Sequence, residues 1–112
     1  MSIRSFIGKK TQGGITGVYC HYDGYPTGVG VALQRHYTDP LKVDALLKLG
    51  SLSSLGLSIE QTVAYARDRG EPLADPLFYG SEEALTLGCR EIGMQYAYVF
   101  DSGQWTTLNI FT

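Results

Sequence analysis

Two stretches near the start of the chain, residues 2–9 and 14–22, mix apolar residues with few charges and look like strands. The glycine-rich turn between them, Gln12-Gly13-Gly14, favours a hairpin. In the second stretch, alternation places Ile15, Tyr19 and His21 on one face and Val18 and Cys20 on the other. Two further strand-like stretches, 95–100 and 104–111, flank a turn and predict a second hairpin. In the first of them, Tyr96, Tyr98 and Phe100 fall on one face, with Ala97 and Val99 on the other.

Between the two hairpins the apolar residues recur at helical spacing, and residues typical of helix ends interrupt them. Pro26 can begin one helix, and Asp39-Pro40 is typical of the start of another. A capping box predicts a third helix over 58–69, and a serine cap followed by two glutamates predicts a fourth over 81–92. The segment 71–79 contains two prolines and is predicted to be a loop.

This order of elements predicts an α+β fold. The simplest arrangement is a single four-stranded, largely antiparallel sheet, built from two N-terminal and two C-terminal strands, with three or four helices packed on one face. At 112 residues the chain is expected to form one domain over 1–112. The net charge of −2 gives no indication of nucleic-acid binding, and no apolar run is long enough for a membrane span, so we expect a cytoplasmic protein.

Candidate chemistry is concentrated in the motif YCHYDGYP at residues 19–26. Tyr19, Tyr22 and Tyr25 combine apolar area with a hydroxyl group, which suits a binding surface. His21 and Asp23 share a face if the strand stays extended, and a carboxylate beside an imidazole is the usual unit of general acid–base catalysis. The alternative is an Asp-Gly turn with a purely structural histidine. The pair supplies too few ligands for a zinc site, and we predict neither a metal nor a cofactor.

A second group of charged residues is Arg67, Asp68 and Arg69, near the predicted end of the third helix. Arginines there can satisfy the terminal carbonyl groups of the helix, but a guanidinium is also the best partner for a carboxylate or phosphate. Cys20 and Cys89 fit reduced, buried thiols better than a disulfide.

The chain resembles a family of small uncharacterised proteins of tailed bacteriophages and prophages. The first block that carries the resemblance is YCHYDGYP, in which relatives more often have Trp at the position of Tyr22, followed by residues 28–30. The other blocks are residues 4–5, 7–8, 52–56, 67–71 and 96–101, so the resemblance covers nearly the whole chain. It implies an α+β fold and a phage setting, hence the cytoplasm of the bacterial host, and it brings no established catalytic residues.

Three functions remain open on these grounds. The first is a binding protein whose partner is a host protein, such as a defence component, or a small phosphorylated ligand; Tyr19, His21, Tyr22, Asp23, Tyr25, Arg67, Asp68 and Arg69 would form its binding surface. The second is a small hydrolase or phosphodiesterase with His21 as acid–base and Asp23 as its orienting group. The third is a structural domain that forms a homodimer through an edge strand of the terminal hairpin.

Overall fold

The computed structural model describes residues 2–112, and in this range seven strands form one mixed sheet. The strands are β1 Ser5–Thr11, β2 Gly14–Cys20, β3 Leu52–Ser54, β4 Val63–Ala64, β5 Leu77–Tyr79, β6 Tyr96–Asp101 and β7 Gln104–Asn109. Their order is β4-β3-β2-β1-β6-β7, and β5 pairs with β2 on the side of β2 away from β1. The two predicted hairpins, β1–β2 and β6–β7, are therefore confirmed.

The helical segments lie between the two hairpins. They are a π-helical turn Pro26–Gly30 that continues into α1 Val31–His36, followed by α2 Pro40–Leu47, α3 Tyr65–Arg69 and α4 Glu82–Ile92. Two predicted N-caps are confirmed: Asp39 accepts a hydrogen bond from the Leu41 amide at 2.9 Å, and Ser81 accepts one from the Ala84 amide at 3.1 Å. Side chains that satisfy the first free amides fix where these helices begin.

The predicted four-stranded, largely antiparallel sheet is wrong. The C-terminal hairpin joins the N-terminal one through parallel pairing of β6 with β1, and β2 pairs in parallel with β3 at Cys20 and Leu52. The three additional strands, β3, β4 and β5, have only two or three residues each. Strands this short do not show an alternating pattern, so the residues of β4 and β5 fall within the predicted helix over 58–69 and the predicted loop over 71–79.

Helices pack against both faces of the sheet rather than one, which is a second correction to the predicted fold. Leu33 of α1 and Val43 of α2 pack with Ile7 on one face, whereas Leu85 of α4 packs with Phe6 on the other. Since Phe6 and Ile7 are adjacent in β1 and point to opposite faces, the central strand contributes to two separate cores.

The predicted helix over 58–69 is also wrong in its first half. Ser58 caps only a single turn, in which its Oγ accepts a hydrogen bond from the Gln61 amide at 3.2 Å. The buried Thr62 hydroxyl then accepts a hydrogen bond from the Gly56 amide at 3.0 Å and donates one to the Ser58 carbonyl at 2.9 Å. These bonds close the turn locally, and the chain extends as β4 before α3 begins at Tyr65.

Candidate functional site

The YCHYDGYP motif forms the end of β2 and the loop that follows it. The strand direction continues past Cys20, because the His21 amide donates to the Leu52 carbonyl and the Tyr22 amide to the Ser53 carbonyl, both at 3.0 Å. At Asp23 the backbone enters the left-handed region, with φ 58°. Aspartate tolerates this conformation better than most residues, so it turns the chain sharply out of the sheet edge.

Buried hydrogen bonds fix the backbone of this loop from beneath. The Gly24 amide donates to the Ile3 carbonyl at 2.8 Å, and the Gly24 carbonyl accepts from the Tyr98 hydroxyl at 2.6 Å. Burial raises the pKa of Tyr98, which keeps the phenol protonated and able to donate. A Cβ on Gly24 would lie 2.7 Å from the Ile3 carbonyl oxygen, so only glycine fits here. The loop is therefore attached directly to the central sheet.

Two tyrosines of the motif project from this fixed backbone. Tyr22 is 47% exposed and Tyr25 is 39% exposed, although both are large aromatic residues. The Tyr25 hydroxyl donates to Asp23 Oδ1 at 3.2 Å, and the Tyr22 ring meets the His21 ring edge to face, with centroids 4.6 Å apart. The hydrogen bond to Asp23, together with the charge of that carboxylate, raises the pKa of Tyr25. Both rings thus have local partners that restrict their rotamers while one side stays open.

His21 and Asp23 do not form the acid–base pair that the hydrolase alternative requires. The His21 Nδ1 lies 2.5 Å from the Tyr19 hydroxyl, and Nε2 lies 3.3 Å from Ser2 Oγ. Within residues 2–112, the carboxylate of Asp23 instead accepts the bond from Tyr25. The imidazole is held by hydroxyl groups, which do not supply the charge that stabilises an imidazolium during catalysis.

The side chain of Arg67 is engaged with its own chain. It forms a bidentate pair with Asp68, with both N···O distances 2.9 Å, and donates to the carbonyl groups of Ile59 at 3.1 Å and Thr62 at 2.6 Å. Asp68 in turn accepts from the Ala64 amide at 2.8 Å. The hydrogen bonds from Arg67 and then from Ala64 lower the pKa of Asp68. These hydrogen bonds hold the 58–69 segment in its fold, and this structural role accounts for both Arg67 and Asp68.

Both arginines are exposed, but the Arg69 guanidinium makes fewer and longer contacts with its own chain than that of Arg67. It lies over the Tyr65 ring at 5.3 Å and makes a long contact of 3.4 Å with Ser53 Oγ. Ser53 is also the residue whose carbonyl accepts the bond from the Tyr22 amide. The short strand β3 therefore brings Arg69 next to the motif loop, and neither Ser53 nor this strand was identified from the sequence.

An open pocket of about 280 Å³ lies beside these residues. Its lining residues are Tyr19, Ser51, Tyr65, Ala66, Glu71, Pro72 and Ala74. It occupies the gap between β3 and β5, which both pair with the same edge of β2. Burial raises the pKa of Tyr19, and the neighbouring Arg4 guanidinium partly offsets that effect. The pocket is thus bordered by the rings of Tyr19 and Tyr65 and by the side chain of Glu71, with Arg69 over the Tyr65 ring.

Other candidate groups are accounted for by packing. Cys20 and Cys89 are buried in different cores, on opposite faces of the sheet, and burial raises the pKa of each thiol to about 12. Neither is therefore an activated nucleophile. In the part of the chain that the structure describes, no cluster of three or more His, Cys, Asp or Glu side chains could hold a metal ion. No helix in that part is long and apolar enough to cross a membrane.

No protein-family model, no curated protein and no solved structure matches this chain.

Proposed function

We propose that this chain is a binding protein of phage or prophage origin that captures a host protein through the motif loop and Arg69. The phage setting comes from the resemblance of the sequence blocks described above. The binding role is supported chiefly by one observation: two half-exposed tyrosines project from a loop whose backbone is bonded to the central sheet. Tyrosine and arginine are enriched among the residues that dominate interface energies.

The rigidity of the loop is what makes this surface suited to binding. A partner that contacts a mobile loop must first order it, and each immobilised side chain costs about 0.5–1.5 kcal/mol. Here the amide and the carbonyl of Gly24 are both already hydrogen-bonded, and the Tyr25 hydroxyl is bonded to Asp23. That cost is therefore largely met during folding. The surface also carries both charge signs, with Arg69 near the loop and Asp23 within it.

The test begins with capture of a partner from bacterial lysate by the full chain, followed by affinity measurements with the purified partner. We expect Tyr22→Ala, Tyr25→Ala and Arg69→Ala each to weaken binding by about 30-fold or more, as interface hot spots do. Phe78→Ala is the matched control, because Phe78 is an aromatic residue 58% exposed on β5, which pairs with the opposite end of β2. If all three variants bind like the control, the assigned surface is wrong.

A small phosphorylated ligand is a second candidate, because the lightly held Arg69 guanidinium stands beside the open pocket at Tyr19 and Tyr65. A guanidinium next to aromatic rings suits a phosphate attached to a ring-bearing group. Thermal-shift measurements with nucleotides and other phosphorylated metabolites test this candidate. A ligand present at 100 times its dissociation constant adds about 2.7 kcal/mol of stability. A shift in the wild type that is lost in Arg69→Ala would support it, and the absence of any shift would leave the protein partner as the proposal.

A further inference from the structure

The strand β7 is an edge strand without the features that usually protect such edges. Six residues long, it has β6 as its one neighbour in the described sheet, and its sequence QWTTLN contains no charged residue and no proline. The strand β4 at the opposite end of the sheet has only two residues and leads directly into α3. Proteins commonly protect edges by shortness, charge, proline or a bulge, and β7 has none of these.

The hairpin geometry determines which backbone groups of β7 are free. The two turn residues, Ser102 and Gly103, have φ of 53° and 82°, and Asp101 pairs with Gln104 across them. In such a turn the amide of Gln104 bonds back to the carbonyl of Asp101. Because antiparallel pairs alternate, the even-numbered residues of β7 bond to β6. The amide and carbonyl groups of Trp105, Thr107 and Asn109 therefore point away from β6, and of these the Asn109 carbonyl already accepts a hydrogen bond from Thr112 Oγ1 at 3.1 Å.

These three residues form a self-complementary set. A two-fold axis perpendicular to the sheet keeps each face on the same side, so it pairs residues of the same parity. When the axis passes through Thr107, Trp105 pairs with Asn109 of the second copy, and Thr107 pairs with its own equivalent. Every outward amide and carbonyl of the three residues then has a partner. Thr–Thr pairs directly opposite each other are favourable in antiparallel sheets.

We propose that this protein forms a symmetric homodimer through antiparallel pairing of β7 with β7 of a second copy, in register about Thr107. Side-chain packing already holds one end of the edge, because Trp105 Nε1 donates to the Tyr37 carbonyl at 2.8 Å and its ring lies 5.1 Å from that of Phe100. A contact through one strand is small compared with a standard interface. We therefore expect a reversible dimer, with a dissociation constant between about 10 µM and 1 mM.

The register makes a charge-exchange experiment possible. Thr107→Lys and Thr107→Asp each place like charges directly opposite each other across the axis, and each should raise the dissociation constant at least about tenfold. An equimolar mixture of the two variants places opposite charges there and should restore association to within about threefold of the wild type. Sedimentation equilibrium on the full chain measures all three samples. Thr107 is exposed, so both variants are expected to unfold at the wild-type temperature.

Thr106→Lys and Thr106→Asp, each measured alone, are the controls, because residue 106 pairs with residue 108 of the second copy in this register and like charges at 106 do not stand directly opposite each other. Weaker association of both Thr107 variants, recovery in their mixture, and association of each Thr106 variant within about threefold of the wild type would support the register. A wild type that stays monomeric up to about 1 mM would overturn the proposal, and so would Thr107 variants that associate like the wild type. Hydrogen exchange gives a separate readout: the amides of Trp105, Thr107 and Asn109 should become slower as the protein concentration rises.

Discussion

Replacing Tyr98 with phenylalanine isolates the bond that attaches the motif loop to the sheet. Tyr98 is fully buried, and its hydroxyl donates to the carbonyl of Gly24 at 2.6 Å. The substitution removes one oxygen and leaves the whole ring, so it creates little cavity. Its main effect is to leave a buried carbonyl group without its partner, which costs about 1–3 kcal/mol.

For a domain of this size, each kcal/mol lowers the unfolding midpoint by about 4 °C. We therefore expect Tyr98→Phe to unfold about 4–12 °C below the wild type. Its free energy of unfolding, measured in urea, should be lower by about 1–3 kcal/mol. Hydrogen exchange at the Gly24 amide should also accelerate, because this amide belongs to the same peptide segment as the freed carbonyl. Affinity for the protein partner should decrease as well, since the loop would no longer be ordered before binding.

Tyr96→Phe is the matched control, because Tyr96 lies on the same face of β6, two residues away, with its ring stacked 6.5 Å from that of Tyr98. Its ring is only partly buried, and it does not reach the motif loop through a hydrogen bond in the described structure. The control should unfold within about 0.5 kcal/mol of the wild type. Equal stability of the two variants would show that the hydroxyl of Tyr98 does not hold the loop.

Three further predictions concern the surrounding fold. Asp68→Asn should destabilise the protein at neutral pH. Because folding lowers the pKa of Asp68, the stability that its carboxylate contributes is complete above the usual pKa near 4 and is lost at lower pH. The melting curves of variant and wild type should therefore converge at low pH. Gly17→Ala should lower the free energy of unfolding in urea by about 1–3 kcal/mol, since a Cβ would lie 2.6 Å from the Phe6 ring. Gly13→Ala, where a Cβ meets open space, should lower it little, and equal losses in the two variants would contradict this. Alkylation of Cys20 at pH 8, followed by peptide mass spectrometry, should proceed only as fast as unfolding, and rapid labelling of the native protein would refute the burial of that thiol.

The two hairpins and the helix starts at Asp39 and Ser81 could be predicted from the sequence because their determinants are local. Asp39 and Ser81 bond to amides two and three residues away, and a two-residue turn joins β6 to β7. The pairing of β1 with β6 is not local, because about ninety residues separate the partners and nothing in either strand specifies the other. One signal was present: Tyr98 and Val99 are adjacent and both apolar, which is typical of a strand covered on both faces.

The candidate site was predicted in part. The motif residues do form an exposed loop at the end of β2, and Arg69 lies beside it. The different environments of Arg67 and Arg69 could not be predicted from the sequence. Both lie in the same helical turn, and only the path of residues 58–62 decides which guanidinium meets the carbonyl groups of Ile59 and Thr62. Ser53, the residue that connects Arg69 to the loop, belongs to a strand of three residues, too short to show a pattern.

The position of β1 has a consequence for synthesis of the chain. During translation β1 and β2 leave the ribosome well before β6, and one edge of β1 stays uncovered until β6 has been made. In that interval the nascent chain presents an apolar strand edge, which other chains can pair with. Folding of the sheet should thus be completed only after β6 has been translated, and nascent chains that stop before residue 96 should be recognised by chaperones or aggregate.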